Sequence, residues 1–299
     1  VQTYDIHLDI GTAGSTSLVL QTIHLPIALN AEIPVRVRLK GGTFNPKAPA
    51  FTFLDETWRP FLASIGMPLT LSMSKAGFYP KGGGLLDAVI EPARPRAFRQ
   101  TTRGRLIRIR GIAGVANLPD QIAERMIARA SFRLADLNES TGSETTLEAV
   151  RWPSVGQGAA IALIAEHEGG IPATFVGLGE RGKPSERVAD EAVDELLGFE
   201  TVENAAIDPH SADQIPLPLV LAEGGSAYSV SAVTEHLRTN VETIRAFLDR
   251  SIRIEEPTVP EQPGIVMIDE SADFDALGRA SKRGIRRRPS PPSCEGERA

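Results

Sequence analysis

An alternating segment, Tyr4-Asp5-Ile6-His7-Leu8-Asp9-Ile10, leads directly into the small residues Gly11-Thr12-Ala13-Gly14-Ser15-Thr16. Alternation with a period of two predicts a half-buried β-strand, and the apolar residues Leu18 and Leu20 after the turn predict that a helix follows. Small residues at a strand-to-helix turn let backbone N–H groups approach a phosphate. The turn lacks the lysine of a P-loop, so a tight turn without a ligand is an equal alternative.

The same order of strands and helices continues along the chain. The patterns predict a strand at 35–40, a helix with an apolar side over 53–65, and strands at 69–73 and 85–90. Right-handed crossovers return each helix to the same side of a sheet. The sequence therefore predicts a two-layer α/β unit, with both helices on one face of a mixed sheet.

A second unit follows the Pro- and Arg-containing linker at 94–103. The patterns there predict a strand at 106–112, a helix after Pro119, three strands between 145 and 178, and a helix from about residue 185. We interpret residues 111–200 as a smaller α/β domain inserted into a main domain made of 1–110 and 201–256. The proline- and arginine-rich composition beyond Pro257 predicts a disordered tail over 257–299.

Composition limits the class of protein. The chain has 299 residues, of which 41% are hydrophobic, and it contains no apolar run of the length, about 18 residues, that spans a membrane. We expect a cytoplasmic protein without a membrane partner. The single cysteine, Cys294, excludes a disulfide framework and a cysteine metal cluster. A net charge of −6 argues against a protein that coats nucleic acid, but it allows a nucleic-acid end in a local pocket.

A histidine, His236, lies near the start of a predicted helix in which apolar residues recur from Leu237 to Leu248. The helix N-cap is either Thr234 or Thr239. Free N–H groups and the helix dipole at such an end favour a neutral imidazole and attract phosphate. A neutral imidazole is a nucleophile; the alternative is a histidine that only hydrogen-bonds its own helix end.

Three polar residues elsewhere are candidates for a ligand site. Gln21, in the first predicted helix, either offers its amide to a ligand or is an exposed helical glutamine. Asp213 and Gln214 stand together ahead of an apolar segment. They could hold a ribose or a metal-bound phosphate, or they could cap a helix.

Six motifs, in this order, resemble the RNA 3′-terminal phosphate cyclase family. They are Ile10-Gly11-Thr12-Ala13-Gly14-Ser15 with Leu20-Gln21-Thr22, Gly41-Gly42-Thr43 with Asn45-Pro46-Lys47-Ala48-Pro49, Gly77-Phe78-Tyr79-Pro80-Lys81-Gly82-Gly83-Gly84, Gly179-Glu180-Arg181-Gly182, Ala212-Asp213-Gln214 and His236-Leu237-Arg238-Thr239-Asn240. Their order and spacing match from about residue 4 to residue 254. Six ordered motifs are far more specific than any one of them.

The resemblance implies a core of repeated strand-helix-strand-helix-strand-strand units, shared distantly with EPSP synthase and interrupted by a small thioredoxin-like α/β domain. The family begins with a further repeat, which contains a Glu-Gly-Gly-Gly-Gln-like stretch and arginines that help bind metal, ATP and RNA phosphate. We find no counterpart of it in the sequence. We therefore expect a chain that lacks the N-terminal repeat, as an incomplete gene product would.

The resemblance also implies a set of site residues. His236 corresponds to the family's nucleophile, which attacks the α-phosphorus of ATP to form a covalent histidyl-AMP. Gln21 corresponds to the family's ATP- and metal-site glutamine, where the metal is Mg²⁺ or Mn²⁺. Pro49 and His210 fall where the family holds adenine between them, with His210 in place of the usual tyrosine. The remaining nucleotide-binding residues would be Ser211, Ala212, Asp213 and Gln214.

The implied activity is an ATP-dependent ligase reaction that converts an RNA 3′-phosphate end into a 2′,3′-cyclic phosphate. A homodimer is a further expectation for this chain. The alternative is a non-catalytic relative that serves as a scaffold in ribosome biogenesis, or an inactive truncated cyclase. An EPSP-synthase-like transferase is the weaker alternative, because the six motifs are those of the cyclases.

Overall fold

The computed structural model describes residues 4–259 and 261–269, which form three four-stranded sheets with their helices. The first sheet and its connections contain β1 Tyr4–Asp9, α1 Thr16–Asn30, β2 Val35–Gly41, α2 Phe51–Phe53, a π-helical turn Leu54–Trp58, α3 Arg59–Ser64, β3 Leu69–Lys75 and β4 Gly84–Ile90. Its strand order is β1-β2-β4-β3. β1 is parallel to β2, and the other two pairs are antiparallel.

The first sheet confirms the predicted two-layer α/β architecture. Along β2, Val37 and Leu39 are buried, whereas the alternating residues Arg36 and Arg38 are exposed. The buried face packs against α1 and against the second helical segment, which consists of α2, the π-helical turn and α3. Leu20 of α1 and residues of the second segment belong to the same hydrophobic core. The alternation in β2 thus separates the covered face of the sheet from the open one. β1, at the edge of the sheet, differs from the predicted half-buried strand, because its residues are exposed except for the half-buried Ile6.

The second helical segment is interrupted where the sequence pattern predicts one continuous helix. Its middle is the π-helical turn, in which the backbone N–H of Arg59 donates to Leu54 O. Pro60 follows at the start of α3. Since proline has no N–H, it cannot supply the ordinary hydrogen bond to the preceding turn, and the wider turn stands just before it.

The second sheet contains β5 Arg99–Gln100, β10 Ser226–Val230, β11 Ile252–Glu255 and β12 Gly264–Ile268, with the helices α6 Pro209–Ala212, α7 Pro216–Val220 and α8 Glu235–Phe247. β12 pairs antiparallel with both β10 and β11. The predicted tail over 257–299 is therefore wrong for residues 264–268. Cys294 and the basic cluster at 282–288 lie outside the described residues.

The third sheet contains β6 Leu106–Ala116, β7 Glu144–Arg151, β8 Gly158–His167 and β9 Ala173–Leu178, and it carries α4 Gln121–Thr141 and α5 Ser185–Glu200. Its order is β7-β6-β8-β9, with β6 parallel to β7 and the other pairs antiparallel. α4 and α5 share one hydrophobic cluster with this sheet. β6 starts at residue 106, so the predicted start of the inserted unit at 111 falls inside a strand.

A hydrogen bond and an aromatic cluster join the third-sheet unit to the first. Thr57 donates a hydrogen bond to Thr174 at 2.8 Å between their hydroxyl oxygens. The rings of Phe44 and Phe78 stack at 5.0 Å between centroids, and Trp152 stacks on Phe44 at 4.7 Å. The first and second sheets share a single hydrophobic core with the helices between them. Among the described residues, no helix is long and apolar enough to cross a lipid bilayer.

Candidate active site

His236 is the second residue of α8, and the structure decides between its two predicted N-caps. The Thr234 hydroxyl accepts a hydrogen bond from the Leu237 N–H at 3.1 Å, which caps the helix. The imidazole of His236 is exposed, and no residue within 4–259 or 261–269 forms a hydrogen bond with it. The structure therefore does not show the alternative, in which the histidine only hydrogen-bonds its own helix end.

α8 is fixed in place from its opposite side. Leu237, Val241 and Ile244 are buried in the shared core, at the helical spacing seen in the sequence. The Asn240 amide, one turn after His236, donates a hydrogen bond to the backbone carbonyl of Asp213. Residues four apart lie on one side of a helix, so this bond sets the position of Asp213 relative to His236.

Asp213 carries a buried carboxylate oxygen, Oδ1, that has no hydrogen-bond partner among the described residues. Burial raises the pKa of this carboxyl, while the charges of His236 and His210 act in the opposite direction. Buried acceptors without a partner are rare in folded proteins, because an unmade hydrogen bond costs about 1–3 kcal/mol. An oxygen left without a partner near an exposed histidine is a candidate position for a polar ligand.

A chain of amide groups links α1 to α6. Gln21 donates from Nε2 to the Gln214 side-chain oxygen, and Gln214 donates from its own Nε2 to the His210 carbonyl at 2.6 Å. Two residues separated by 193 positions in the sequence are thereby in contact. Because the Gln21 amide donates through its nitrogen, its side-chain oxygen remains available as an acceptor.

The short helix α6 presents His210 to the solvent. The buried Asp208 carboxylate caps it, accepting from the backbone N–H groups of His210 at 2.9 Å and Ser211 at 3.0 Å. The His210 Nε2 lies 3.1 Å from the Glu195 carboxylate of α5. The Glu195 carboxylate is the main cause of a raised pKa for His210. Ala212 is buried, and its carbonyl accepts from the Tyr228 hydroxyl at 3.2 Å.

The glycine-containing turn before α1 is packed tightly against the loop after β2. Gly42 donates from its N–H to Gly14 O at 2.7 Å, and a Cβ on Gly42 would lie 2.5 Å from Ala13 O. Only glycine fits this approach. Ser15 caps α1 by accepting from the Leu18 N–H at 3.3 Å. Pro49 lies half-buried on the same loop after β2 and takes no part in the amide chain.

Comparison with known proteins identifies the family of the chain. The family model described as RNA 3′-terminal phosphate cyclase matches residues 1–254. The chain belongs to this cyclase family. A relative from Ectopseudomonas mendocina, called RNA 3′-terminal phosphate cyclase, is 39% identical over 249 residues, which cover 83% of this chain and 70% of the relative.

Two further relatives carry the same name. The protein from Methylococcus capsulatus is 40% identical over 255 residues, or 83% of this chain and 69% of the relative. The protein from Pyrobaculum neutrophilum is 37% identical over 250 residues, or 83% of this chain and 71% of the relative. The cyclase family thus extends over both the first and the third sheet.

The predicted metal residue can be tested against its surroundings. Within the described ranges, no group of three or more His, Cys, Asp or Glu side chains could hold a metal ion. Mg²⁺ often binds with one or two protein ligands and completes its shell with substrate phosphates and water. The free oxygen of Gln21 fits that role, and it does not fit a metal held by protein alone.

Two residues of the site carried no role in the sequence analysis. Asn240 lies four residues after His236, which is a signal that the spacing alone could have provided. Glu195 lies on the third-sheet unit and meets His210 only through the tertiary fold, so no local pattern identifies it.

Proposed function

We propose that this cyclase-family chain converts an RNA 3′-phosphate end into a 2′,3′-cyclic phosphate at the expense of ATP. The observation that carries the proposal is an exposed histidine at a helix N-terminus, beside the buried and unpartnered oxygen of Asp213. The names of the relatives support the same activity. The nucleotide would lie along the amide chain that Gln21, Gln214 and His210 form.

The first step forms a covalent intermediate on the enzyme. A lone pair of the His236 imidazole attacks the α-phosphorus of ATP, so that an N–P bond forms and the bond from that phosphorus to the bridging oxygen breaks. Pyrophosphate leaves with the electron pair. The product is a histidyl-AMP, in which His236 stores the activated nucleotide.

The second and third steps transfer and release AMP. An oxygen of the RNA 3′-phosphate attacks the phosphorus of the histidyl-AMP, the N–P bond breaks, and His236 is regenerated. The neighbouring 2′-hydroxyl then attacks the RNA phosphorus, loses its proton to solvent and expels AMP. One ATP is converted to AMP and pyrophosphate, and one 2′,3′-cyclic phosphate forms.

The residues around His236 bind and orient the nucleotide. The free N–H groups at the start of α8 and the positive end of its dipole favour phosphate close to His236. Gln21 would hold one position of a Mg²⁺ or Mn²⁺ ion, which supplies neutralisation of the triphosphate charge. His210 and Pro49 would hold the adenine between them, since a flat imidazole stacks on a base as a phenol ring does.

Product analysis tests this proposal. An oligoribonucleotide with a 3′-phosphate is incubated with ATP and Mg²⁺, and chromatography follows its conversion to the cyclic phosphate together with the release of AMP. We expect conversion that depends on ATP and is absent in His236→Ala. A folded chain that binds RNA 3′-phosphate ends but neither consumes ATP nor forms product would support the scaffold alternative instead.

A further inference from the structure

Helix α5 of the third-sheet unit carries six acidic side chains, and five of them pair with basic groups away from the nucleotide site. Those pairs are Glu186 with Arg125, Asp190 with Arg129 and Arg133, Glu191 with Lys183, Asp194 with Arg133, and Glu200 with Arg103 and His167. The sixth, Glu195, is directed at His210 of α6 with 3.1 Å between carboxylate oxygen and ring nitrogen. The third-sheet unit thus places one carboxylate on a residue of the candidate nucleotide site.

The backbone and the ring of His210 are held by different parts of the fold. Its backbone is fixed by Asp208 through the N–H and by Gln214 through the carbonyl. Its ring, by contrast, has a contact to Glu195 alone among the hydrogen bonds that involve described residues. The orientation of the ring is therefore set by α5, whereas the position of its Cα is set by the loop that carries Asp213 and Gln214.

The charges that shift the pKa of His210 are all negative. Glu195 from α5, Asp208 at the cap of α6 and Asp213 after it each act to raise the pKa of His210, and burial opposes them. The His210 and Glu195 side chains are 54% and 47% exposed. An ion pair this exposed contributes little to stability, so its effect is on the charge and orientation of one ring.

We propose that Glu195 is a positioning residue for the nucleotide, which holds the His210 ring as an imidazolium against the purine base of ATP. The inference rests on the proposed function, since it uses the nucleotide site described there. A cation over an aromatic face is attracted by the ring's quadrupole, an interaction that a neutral imidazole does not provide. The third-sheet unit would in this way tune the affinity for ATP without contact to the reacting phosphorus.

Binding measurements across pH test the inference. Calorimetric titration with an α,β-methylene analogue of ATP measures affinity without reaction, from below to above the pKa of His210. We expect the affinity to fall as pH rises and His210 loses its proton, by about 3–10-fold. Glu195→Gln should move that fall to lower pH and should leave the melting temperature unchanged. Glu191→Gln, four residues earlier on the same helix and paired with Lys183, is the matched control and should match the wild type.

The variant His210→Tyr supplies the baseline. It keeps every other titrating group, including those of the nucleotide, but it cannot become a cation. Its affinity should therefore lack the pH-dependent fall that Glu195 controls. Adding Glu195→Gln to this variant should leave the pH dependence of its affinity unchanged.

The inference would be overturned if Glu195→Gln changed the pH dependence of affinity no more than Glu191→Gln does, or if its effect persisted in His210→Tyr. In either case, nucleotide binding itself would still support the proposed function. Absence of nucleotide binding in every variant, with the chain folded, would overturn both.

Discussion

His24 should make the folded chain sensitive to mild acid. The residue lies on α1, one turn after Gln21, and is only 2% exposed. Its ring meets Trp58 edge to face, with 5.1 Å between ring centroids, and its Nε2 has no hydrogen-bond partner among the described residues. Burial lowers the pKa of His24 from 6.5 to about 4. A protonated imidazole cannot be accommodated at this position without a partner for its charge.

The magnitude follows from the two pKa values. As pH falls below 6.5, the unfolded chain binds a proton at His24 that the folded chain does not bind until about pH 4. The free energy of unfolding therefore falls between these values and is unaffected by His24 above the upper one. At about 1.4 kcal/mol for each pKa unit, the total loss is about 3 kcal/mol, a large fraction of the stability of an ordinary domain.

Urea unfolding of the wild type and of His24→Leu, followed by circular dichroism near pH 7 and again near pH 4.5, measures the effect. The leucine variant keeps all the carboxylates that titrate in the same range, so the difference between the two chains isolates His24. We expect the wild type to lose about 2–3 kcal/mol more than the variant between the two conditions. Equal losses in both chains would refute the reasoning and would mean that His24 finds a partner or solvent when it is protonated.

Three further predictions concern the site and the sheet edge. Asn240→Ala removes the hydrogen bond to the carbonyl of Asp213 and should slow adenylylation by about 2–10-fold, measured as initial incorporation of labelled AMP; an unchanged rate would mean that α8 is positioned without it. Gln214→Ala breaks the amide chain and should raise the KM for ATP by about 5-fold or more with no change in melting temperature, whereas a lowered melting temperature with an unchanged KM would favour a helix-cap role. β1 is an edge strand on which Tyr4 is 65% and Leu8 40% exposed, so we expect self-association that rises with concentration and is weakened by Leu8→Lys; identical sedimentation of the two chains would contradict this.

The alternating and helical patterns predicted the first sheet and its helices most securely where a strand buries alternate residues, as β2 and β4 do. β2 shows this directly: Val35, Val37 and Leu39 face the helices while the residues between them face solvent. The helix after Thr234 followed from the same logic, since Leu237, Val241 and Ile244 form one buried stripe. Local burial patterns of this kind can be predicted from the spacing of apolar residues in the sequence.

Other parts could not be predicted because they depend on distant partners. β12 lies among prolines and charged residues that are typical of a disordered segment, and it is a strand because β10 and β11 offer it two edges. The contact of Gln21 with Gln214 and that of Glu195 with His210 join segments far apart in the chain, so composition and spacing are silent about them. The sequence motifs identified the candidate residues, whereas the contacts between them depend on the fold.

The proposed reaction depends most directly on the chemistry of His236. The chain is incubated with ATP and Mg²⁺, digested under neutral to alkaline conditions that preserve a phosphoramidate, and analysed by tandem mass spectrometry. We expect the mass of AMP on the peptide that contains His236, with loss of the adduct in acid and no adduct in His236→Ala. Lys183 of the third-sheet unit, whose ammonium pairs with Glu191, should carry none. AMP on any other side chain, or an adduct that persists in His236→Ala, would contradict the assignment of His236 as the nucleophile.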